Sequence, residues 1–306
     1  MKIPRIAVLG SANIDLVCRV PRLPKPGETV RARGVARYCG GKGANQAVAA
    51  ARQGAEVRFY GSVGSDAFGK ALLSGLEENG VDAAAVERLA DCPSGTATIW
   101  VDDAGENSIV IAEGANGRID PAYVDKHIDA IADADILLLQ FEIPLETVSH
   151  TLRALPADRP RVVLDPAPAT ALDGLPISRI ACLTPNEAEL RTLSNLTDIE
   201  EACQRLLRLG TETVVCTMGE RGARLARRGT ASMMIAPPAI QAVDSTAAGD
   251  AFSAALAVAL ARHGETHLAE AIRFACAAGA LAATREGAWP SLPTAQETED
   301  LLRGTG

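Results

Sequence analysis

Residues 243–250, VDSTAAGD, set Ala247, Ala248 and Gly249 directly before an aspartate. The apolar, alanine-rich run AFSAALAVALA follows at 251–261 and reads as a buried helix. Backbone N–H groups at the start of such a helix lack internal partners and attract negative charge. Small side chains at 247–249 let an anion approach that backbone closely. Asp250 then brings a carboxylate, a candidate general base, beside the anion site. That pairing suits transfer of a phosphoryl group to a hydroxyl. Aspartate is also a favoured helix cap, so Asp250 taken alone reads equally well as a capped turn.

A second group lies in GGKGANQAVAAA, residues 40–51. Glycines 40, 41 and 43 make a side-chain-free turn, and a helix is expected from Ala44. The spacing is neither GxxxxGK[ST] nor GxGxxG. Lys42 and Asn45 place a cation and an amide at the mouth of the turn. Asn13 and Asp15 sit just past the apolar run IAVLG. An amide both donates and accepts, and a carboxylate accepts from neighbouring hydroxyls, so this pair suits a polyhydroxyl ligand. Either residue alone also fits a turn after a strand. Glu142 follows ILLLQF, and a carboxylate ending a buried strand needs a partner. Asn186 and Glu189 are one helical turn apart and face the same way, which also matches a capping box. TMGERG, 217–222, reads as a tight hairpin turn with Gly219 and Gly222. His263 and His267 have i, i+4 spacing, but Gly264 lies between them and no HExxH motif joins them. They read as a solvated loop and helix start.

These residues need a frame. The 306-residue chain is 47% hydrophobic, enough for a sizeable core, but only 3% aromatic. That core must be built from Ala, Val, Leu and Ile. A net charge of −8 argues against a general nucleic-acid or membrane-surface binder. Seven cysteines without a CxxC pair suggest a reducing cytoplasm, most of them serving as small buried hydrophobes. Nothing ahead of IAVLG reads as a signal peptide, and no run is fit to span a membrane. IAVLG, VRFYGSVG, ADILLLQF, RVVLDPAP, IACLTPN and ETVVCTMG are apolar runs with polar or glycine-bearing ends. Helical patterns such as AFGKALLSGLEENG, PLETVSHTLRAL and EACQRLLRLG lie between several of them. The expectation is an α/β fold: a doubly wound, mostly parallel sheet with helices on both faces. Ligands then sit beyond the carboxyl ends of the strands, where Asp165, Asn186, Thr217 and Gly219 fall. Segments 14–38 and 95–112 break the alternation and predict a small projecting β-sheet, the second a hairpin around DDAGEN. No linker or repeat demands a second domain, so residues 1–306 are expected to form one.

The chain resembles the ribokinase-like (PfkB-type) carbohydrate kinases almost end to end. The resemblance is carried by GSANID at 10–15, PGETV at 26–30, GGKGANQAVAA at 40–50, QFEIPLE at 140–146 and DPAPA at 165–169. It continues in TPNEAE at 184–189, TMGERGA at 217–223, VDSTAAGD at 243–250, EAIRFA at 270–275 and TREGAWPS at 284–291. GGKGANQ with QFEIP points to the ribose-phosphorylating branch. The resemblance implies ATP-dependent phosphorylation of D-ribose at its 5-hydroxyl, with Asp250 as base. N–H groups of Ala247, Ala248, Gly249 and Asp250 would hold the transferring group, aided by Mg²⁺ and Lys42. Asn13, Asp15, the Gly41–Lys42 backbone, Asn45 and Glu142 would bind the sugar, with Ala97 and Ile111 closing from a lid made by 14–38 and 95–112. Asn186 and Glu189 would arrange Mg²⁺ through water. Thr217, Gly219 and Gly222 would cradle ATP phosphates with Ala248 and Gly249, and Cys276 would neighbour adenine. Asp244, Ser291 and the carbonyls of Thr246, Ala282, Arg285 and Gly287 would wrap K⁺. Lids of this kind pair, so a homodimer is implied. A related kinase for deoxyribose, fructose, a nucleoside or a sugar phosphate is the alternative; Arg31, Arg33 and Arg37 keep the last open. A non-catalytic sugar sensor is a third reading, which loss of Asp250 or the glycines would signal; neither is lost.

Overall fold

The computed structural model describes residues 2–304. Its strands are β1 (Arg5–Leu9), β2 (Asn13–Arg19), β3 (Gly34–Gly40), β4 (Glu56–Tyr60), β5 (Ser62–Gly64), β6 (Val81–Asp82), β7 (Glu87–Leu89) and β8 (Gly95–Val101). They continue as β9 (Asn107–Ala112), β10 (Ile136–Gln140), β11 (Arg161–Asp165), β12 (Cys182–Leu183), β13 (Thr213–Thr217), β14 (Ala223–Arg227) and β15 (Met233–Ile235). The helices are α1 (Lys42–Arg52), α2 (Ala67–Glu78), α3 (Pro121–Ala132), α4 (Leu145–Ala154), α5 (Glu187–Ser194), α6 (Ile199–Leu209), α7 (Ala248–His263), α8 (Leu268–Ala282) and α9 (Ala295–Gly304).

The large sheet runs β15-β14-β13-β12-β11-β10-β1-β4-β6. It is parallel from β6 to β13 and antiparallel at the β14 and β15 edge. Alternation along β1 shows how both faces are used. Ile6 and Val8 join the apolar cluster with α1, α2, α7 and α8. Ala7 and Leu9 join the other cluster, with α3, α4, α5 and α6. The expected doubly wound α/β fold is therefore the one observed. Low aromatic content has a local use in α7. Its residues 250–260 are all buried, and it packs between α1 and α8. Alanines at 251, 254, 255, 257 and 259 permit that close approach. A larger side chain at fully buried Ala255 would cost about 1–3 kcal/mol in overpacking.

A second sheet, β3-β2-β8-β9, projects from the first. β2 pairs antiparallel with β3 and parallel with β8, and β8–β9 is the hairpin expected around residues 102–106. β5 and β7 form a separate two-stranded pair. Within 14–38 only the ends are strand; proline and glycine keep 20–33 irregular.

Three local expectations are corrected. Asn13 and Asp15 lie within β2, so the alternative of a turn after β1 falls away, and the strand begins one residue before the segment 14–38 expected to be extended. Helix α1 starts at Lys42, two residues before Ala44, because Gly41 takes φ 87° and caps it. Helix α7 starts at Ala248 because Ala247 caps it with φ 60°. Asp250 therefore sits inside the first helical turn rather than ahead of the helix. Among the described residues no helix is long and apolar enough to cross a membrane.

Candidate active site

The two sheets enclose a cleft of about 1000 Å³ at the carboxyl ends of the central strands. Asn13, Asp15, Gly41, Lys42, Asn45, Glu142 and Asp250 all line it. Ala97 and Ile111 reach it from the projecting sheet, and Asp244, Thr246, Ala247 and Gly287 from the opposite wall.

Asp250 is only 5% exposed. Its Oδ2 accepts from Asn45 Nδ2 at 2.8 Å, and its Oδ1 accepts from Gln46 Nε2 at 3.2 Å. The carboxylate is thus turned toward α1 and caps nothing. Gln46 is pinned in turn: its Nε2 also donates to Asp165 Oδ2 at 2.9 Å, and its Oε1 accepts from Gln140 Nε2 at 2.6 Å. Lys42 Nζ donates to Asp165 Oδ2 at 3.2 Å and lies 3.8 Å from Asp250 Oδ1. Burial disfavours the Lys42 charge, but Asp165, Asp250, Glu142 and Glu189 outweigh it and hold the amine above its ordinary range. Burial also pushes Asp165 up, with Asp250 and Glu189 adding to the rise and Lys42 opposing it.

Glu142 has the partners its burial requires. Its Oε2 accepts from Ser11 Oγ at 2.6 Å and from Lys42 N–H at 3.0 Å. Asp15 has none: among the described residues nothing donates to its carboxylate, though it is 8% exposed. Burial first, then Glu142 and Asp250, push its pKa up to about 7. Gly40 makes room for it, since a Cβ there would lie 2.1 Å from Asp15 Oδ2. A buried, unbonded carboxylate costs free energy until a hydroxyl or N–H meets it.

At the start of α7, Ala248 N–H is tied to the Ser245 carbonyl at 3.1 Å. Among the described residues the N–H groups of Ala247, Gly249 and Asp250 have no such partner. Ala247 and Asn195 are the described non-glycine residues with positive φ. A left-handed alanine costs about 1–2 kcal/mol, and such strain concentrates at functional turns. Asp244 ties this turn to the loop after α8. It accepts from Thr246 N–H at 2.9 Å, Thr246 Oγ1 at 2.6 Å and Gly287 N–H at 2.9 Å. The Ala283 carbonyl accepts from the N–H groups of Val243 and Asp244. Residues 244–246 and 282–287 are thereby brought together. Ser291 is buried, with Oγ donating to the Ala288 carbonyl at 2.7 Å, and the Arg285 side chain turns to Glu297.

The remaining candidates lie outside the cleft wall. Asn186 and Glu189 form a full capping box on α5, each side chain accepting from the other's N–H at 2.9 and 2.8 Å. Asn186 bridges to Thr217, which ends β13, and Gly219 and Gly222 take φ 57° and 86° in the hairpin to β14. Cys276 is buried in α8 within the core cluster, and burial pushes its thiol up to about 12. Ser11, Gln46, Asn116 and Gln140 are site residues that the sequence reading missed, and it noted Asp165 only as a strand end. Gln140 carried a readable signal, since a polar residue ending ILLLQ must find a partner just as Glu142 must.

A cleft at the carboxyl ends of a parallel sheet, faced by a second small sheet, with carboxylates on its wall and open N–H groups beside a buried aspartate, has the chemistry to take a polyol and pass it a phosphoryl group. Residues 4–295 match the pfkB family carbohydrate kinase description, and the chain belongs to that family. It is 40% identical to a ribokinase of Haemophilus influenzae over 97% of this chain and 98% of that one. It is 41% identical to a ribokinase of Bacillus subtilis over 97% and 99% of the two chains. The solved Arabidopsis thaliana ribokinase complexed with ribose and ATP superposes with a TM-score of 0.90. That structure is 34% identical and covers 99% of both chains.

Proposed function

We propose that this carbohydrate kinase transfers the γ-phosphoryl group of ATP to the 5-hydroxyl of D-ribose. The observation that carries the reading is Asp250: a buried carboxylate with fixed oxygens, in the first turn of α7, on the cleft wall. It accepts the proton of the primary hydroxyl as that oxygen attacks phosphorus in line. Open N–H groups at Ala247, Gly249 and Asp250 receive the charge on the transferring group, and Ala248 joins them if its bond to Ser245 opens. Lys42 offsets the charge of Asp165 and Asp250. Positioning and electrostatics supply most of the rate in such a transfer.

Asn13, Asp15, the Gly41–Lys42 backbone, Asn45 and Glu142 are assigned to the sugar. The four-stranded sheet is the lid of a single kinase domain, closing through Ala97 and Ile111. ATP is assigned to Asn186, Thr217, Gly219, Gly222 and the start of α7, with Cys276 behind the adenine side. Mg²⁺, held through water near Asn186 and Glu189, would neutralise part of the triphosphate charge; among the described residues the capping box leaves Glu189 Oε1 open to accept from such a water, while Asn186 keeps only its NH₂ group. The donor set around Asp244 suits K⁺: one carboxylate, the Ser291 hydroxyl and carbonyls of Thr246, Ala282, Arg285 and Gly287 are hard oxygen ligands. Burial opposes ionisation of Asp244, but hydrogen bonds from Thr246 and Gly287 outweigh it and hold its carboxyl below the ordinary range. Ile109, Val110 and Ile111 of the lid are 52%, 56% and 44% exposed, which supports a homodimer formed through paired lids. A cytoplasmic location fits the free cysteines.

The inner wall disfavours a sugar phosphate. Asp15, Glu142 and Asp250 line it against Lys42, which Asp165 holds from behind, and Arg33 is paired with Asp103. A coupled ATP assay over ribose, deoxyribose, fructose, nucleosides and ribose 5-phosphate tests the reading. Preference for any substrate other than ribose would overturn it.

A further inference from the structure

Asn116 is 1% exposed, outside the cleft, in the turn 114–118 that leaves β9. Its Oδ1 accepts the Ala12 N–H at 2.9 Å. Its Nδ2 faces the Ala12 carbonyl at 3.3 Å and Asn13 Oδ1 at 2.7 Å. The Ala12 peptide decides this orientation, because a backbone N–H only donates and a carbonyl only accepts. An inverted Asn116 would set donor against donor and acceptor against acceptor. Asn116 Nδ2 therefore donates, and the atom it meets on Asn13 is the oxygen. The Asn13 NH₂ group then points away from Asn116. Among the described residues it has no partner, and Asn13 lines the cleft. Gly95 is shaped to this pair: a Cβ there would lie 2.2 Å from both Asn116 Nδ2 and Asn13 Oδ1.

Asn45 has the opposite polarity. Its Nδ2 donates to the Asp250 carboxylate, and among the described residues its buried Oδ1 has no partner.

We propose that Asn116 is a positioning residue that sets the hydrogen-bond polarity of the sugar site by fixing Asn13 as a donor. This rests on the pentose-kinase reading and deepens it by naming what selects the substrate. The ligand atom opposite Asn13 must offer a lone pair. Asp15, two residues along the same face of β2, accepts a proton. A hydroxyl meets both demands. A deoxy position meets neither and leaves buried polar groups unpaired.

The test compares ribose with its 1-, 2- and 3-deoxy analogues. Asn116→Asp keeps the shape and still accepts from Ala12, but once ionised it cannot donate to Asn13. Asn13 then turns over and shows its oxygen to the cleft. The expected result is a fall of roughly 10–100-fold in kcat/KM for ribose. The analogue lacking the hydroxyl read by Asn13 should change by less than about threefold, the scatter expected without a lost contact. Asn116→Ala frees Asn13 and should give a smaller loss in the same sense. In an Asn13→Ala background neither change should alter selectivity further. Equal losses for all four sugars, or additive losses in the double variants, would overturn the proposal. Side-chain amide hydrogen exchange in the free protein gives a readout independent of catalysis. The Asn116 NH₂ should exchange slowly and the Asn13 NH₂ quickly; the reverse order would overturn the proposal whatever the chain phosphorylates. A wild-type protein inactive on every pentose, with this exchange order intact, would instead sink the pentose-kinase reading alone.

Discussion

Asp250→Asn keeps the volume of the proposed base and removes its proton affinity. Its effect on the surroundings follows from the donors that hold it. Asn45 Nδ2 at 2.8 Å and Gln46 Nε2 at 3.2 Å both need an acceptor, and Lys42 Nζ at 3.8 Å carries a charge. An amide has one oxygen to offer, so one donor is left facing an NH₂ group. Gln46 cannot turn to relieve this, because Asp165 and Gln140 hold both ends of its amide. Asn45 can, because its unpartnered Oδ1 would accept from the new NH₂ group once the amide turns over, so the stability cost is at most about 1–3 kcal/mol, the penalty of one unmet buried polar group. The catalytic cost is larger. Loss of a general base lowers kcat about 10²–10⁴-fold, or about 3–5 kcal/mol at 1.36 kcal/mol per decade. Ribose affinity should change far less, since Asn13, Asp15 and Glu142 remain. A coupled ADP-release assay gives kcat, and titration calorimetry gives the sugar Kd. A variant that turns over at near wild-type rate would remove Asp250 from the mechanism.

Gly40→Ala should raise the ribose KM by roughly tenfold or more with a smaller effect on kcat, because its Cβ would displace the Asp15 carboxylate from 2.1 Å; unchanged steady-state constants would refute that assignment of Asp15. The raised Asp15 pKa gives a stability test. The folded chain holds an extra proton between about pH 4 and pH 7, so stability falls as pH rises through that window, by at most about 1.4 kcal/mol per unit. Denaturant melts should fall more steeply in the wild type than in Asp15→Asn, which keeps the contribution of the raised Asp165 carboxyl; parallel profiles would count against it. Activity in K⁺-free Tris buffer should be low and return on adding K⁺, whereas full activity without K⁺ would exclude cation activation. Ile109→Glu with Val110→Lys should convert a dimer to a monomer in sedimentation, and a wild-type monomer at micromolar concentration would refute pairing through the lid.

The fold was legible because each central strand is an apolar run that stops abruptly at a polar residue or glycine. Ile6 to Leu9 must be buried on both faces, and only a sheet covered by helices on both sides does that. Asp15 fell within the segment expected to be extended, but Asn13 did not, because GSAN, 10–13, looks like a break of ordinary length, whereas β2 already begins at Asn13. Both misjudged helix starts share one cause: a cap with positive φ. Gly41 permits that conformation, and Ala247 adopts it against its own preference, which no propensity reveals. Glu142 was legible by the rule that a buried charge needs partners, though the rule could not name Ser11. Asn116 was silent. Nothing in GANGR, 114–118, marks it, and its partners Ala12 and Asn13 lie 104 and 103 residues away.

The same long-range closures explain why a site of one cation and several carboxylates can exist in a core built largely of alanine. Lys42 comes from the first turn of α1, Asp165 from the end of β11 and Asp250 from the first turn of α7. Each alone would be an expensive buried charge. Alanines on the facing sides of α1 and α7 bring the two helix starts close enough for Lys42, Asn45 and Gln46 to reach Asp250. Gln140 and Gln46 extend the network down to the sheet, so the carboxylates are held by groups that cannot relax toward solvent. The excess negative charge has a functional consequence. A neutral sugar can satisfy Asp15 through its hydroxyl protons, but a phosphate entering the same wall meets repulsion. On the proposed assignment the phosphoryl donor would approach from the α7 start, where open N–H groups offset that charge. If the assignments hold, the acidic wall and the small-residue turn at 247–249 separate the two substrates by electrostatics before the four-stranded sheet moves at all.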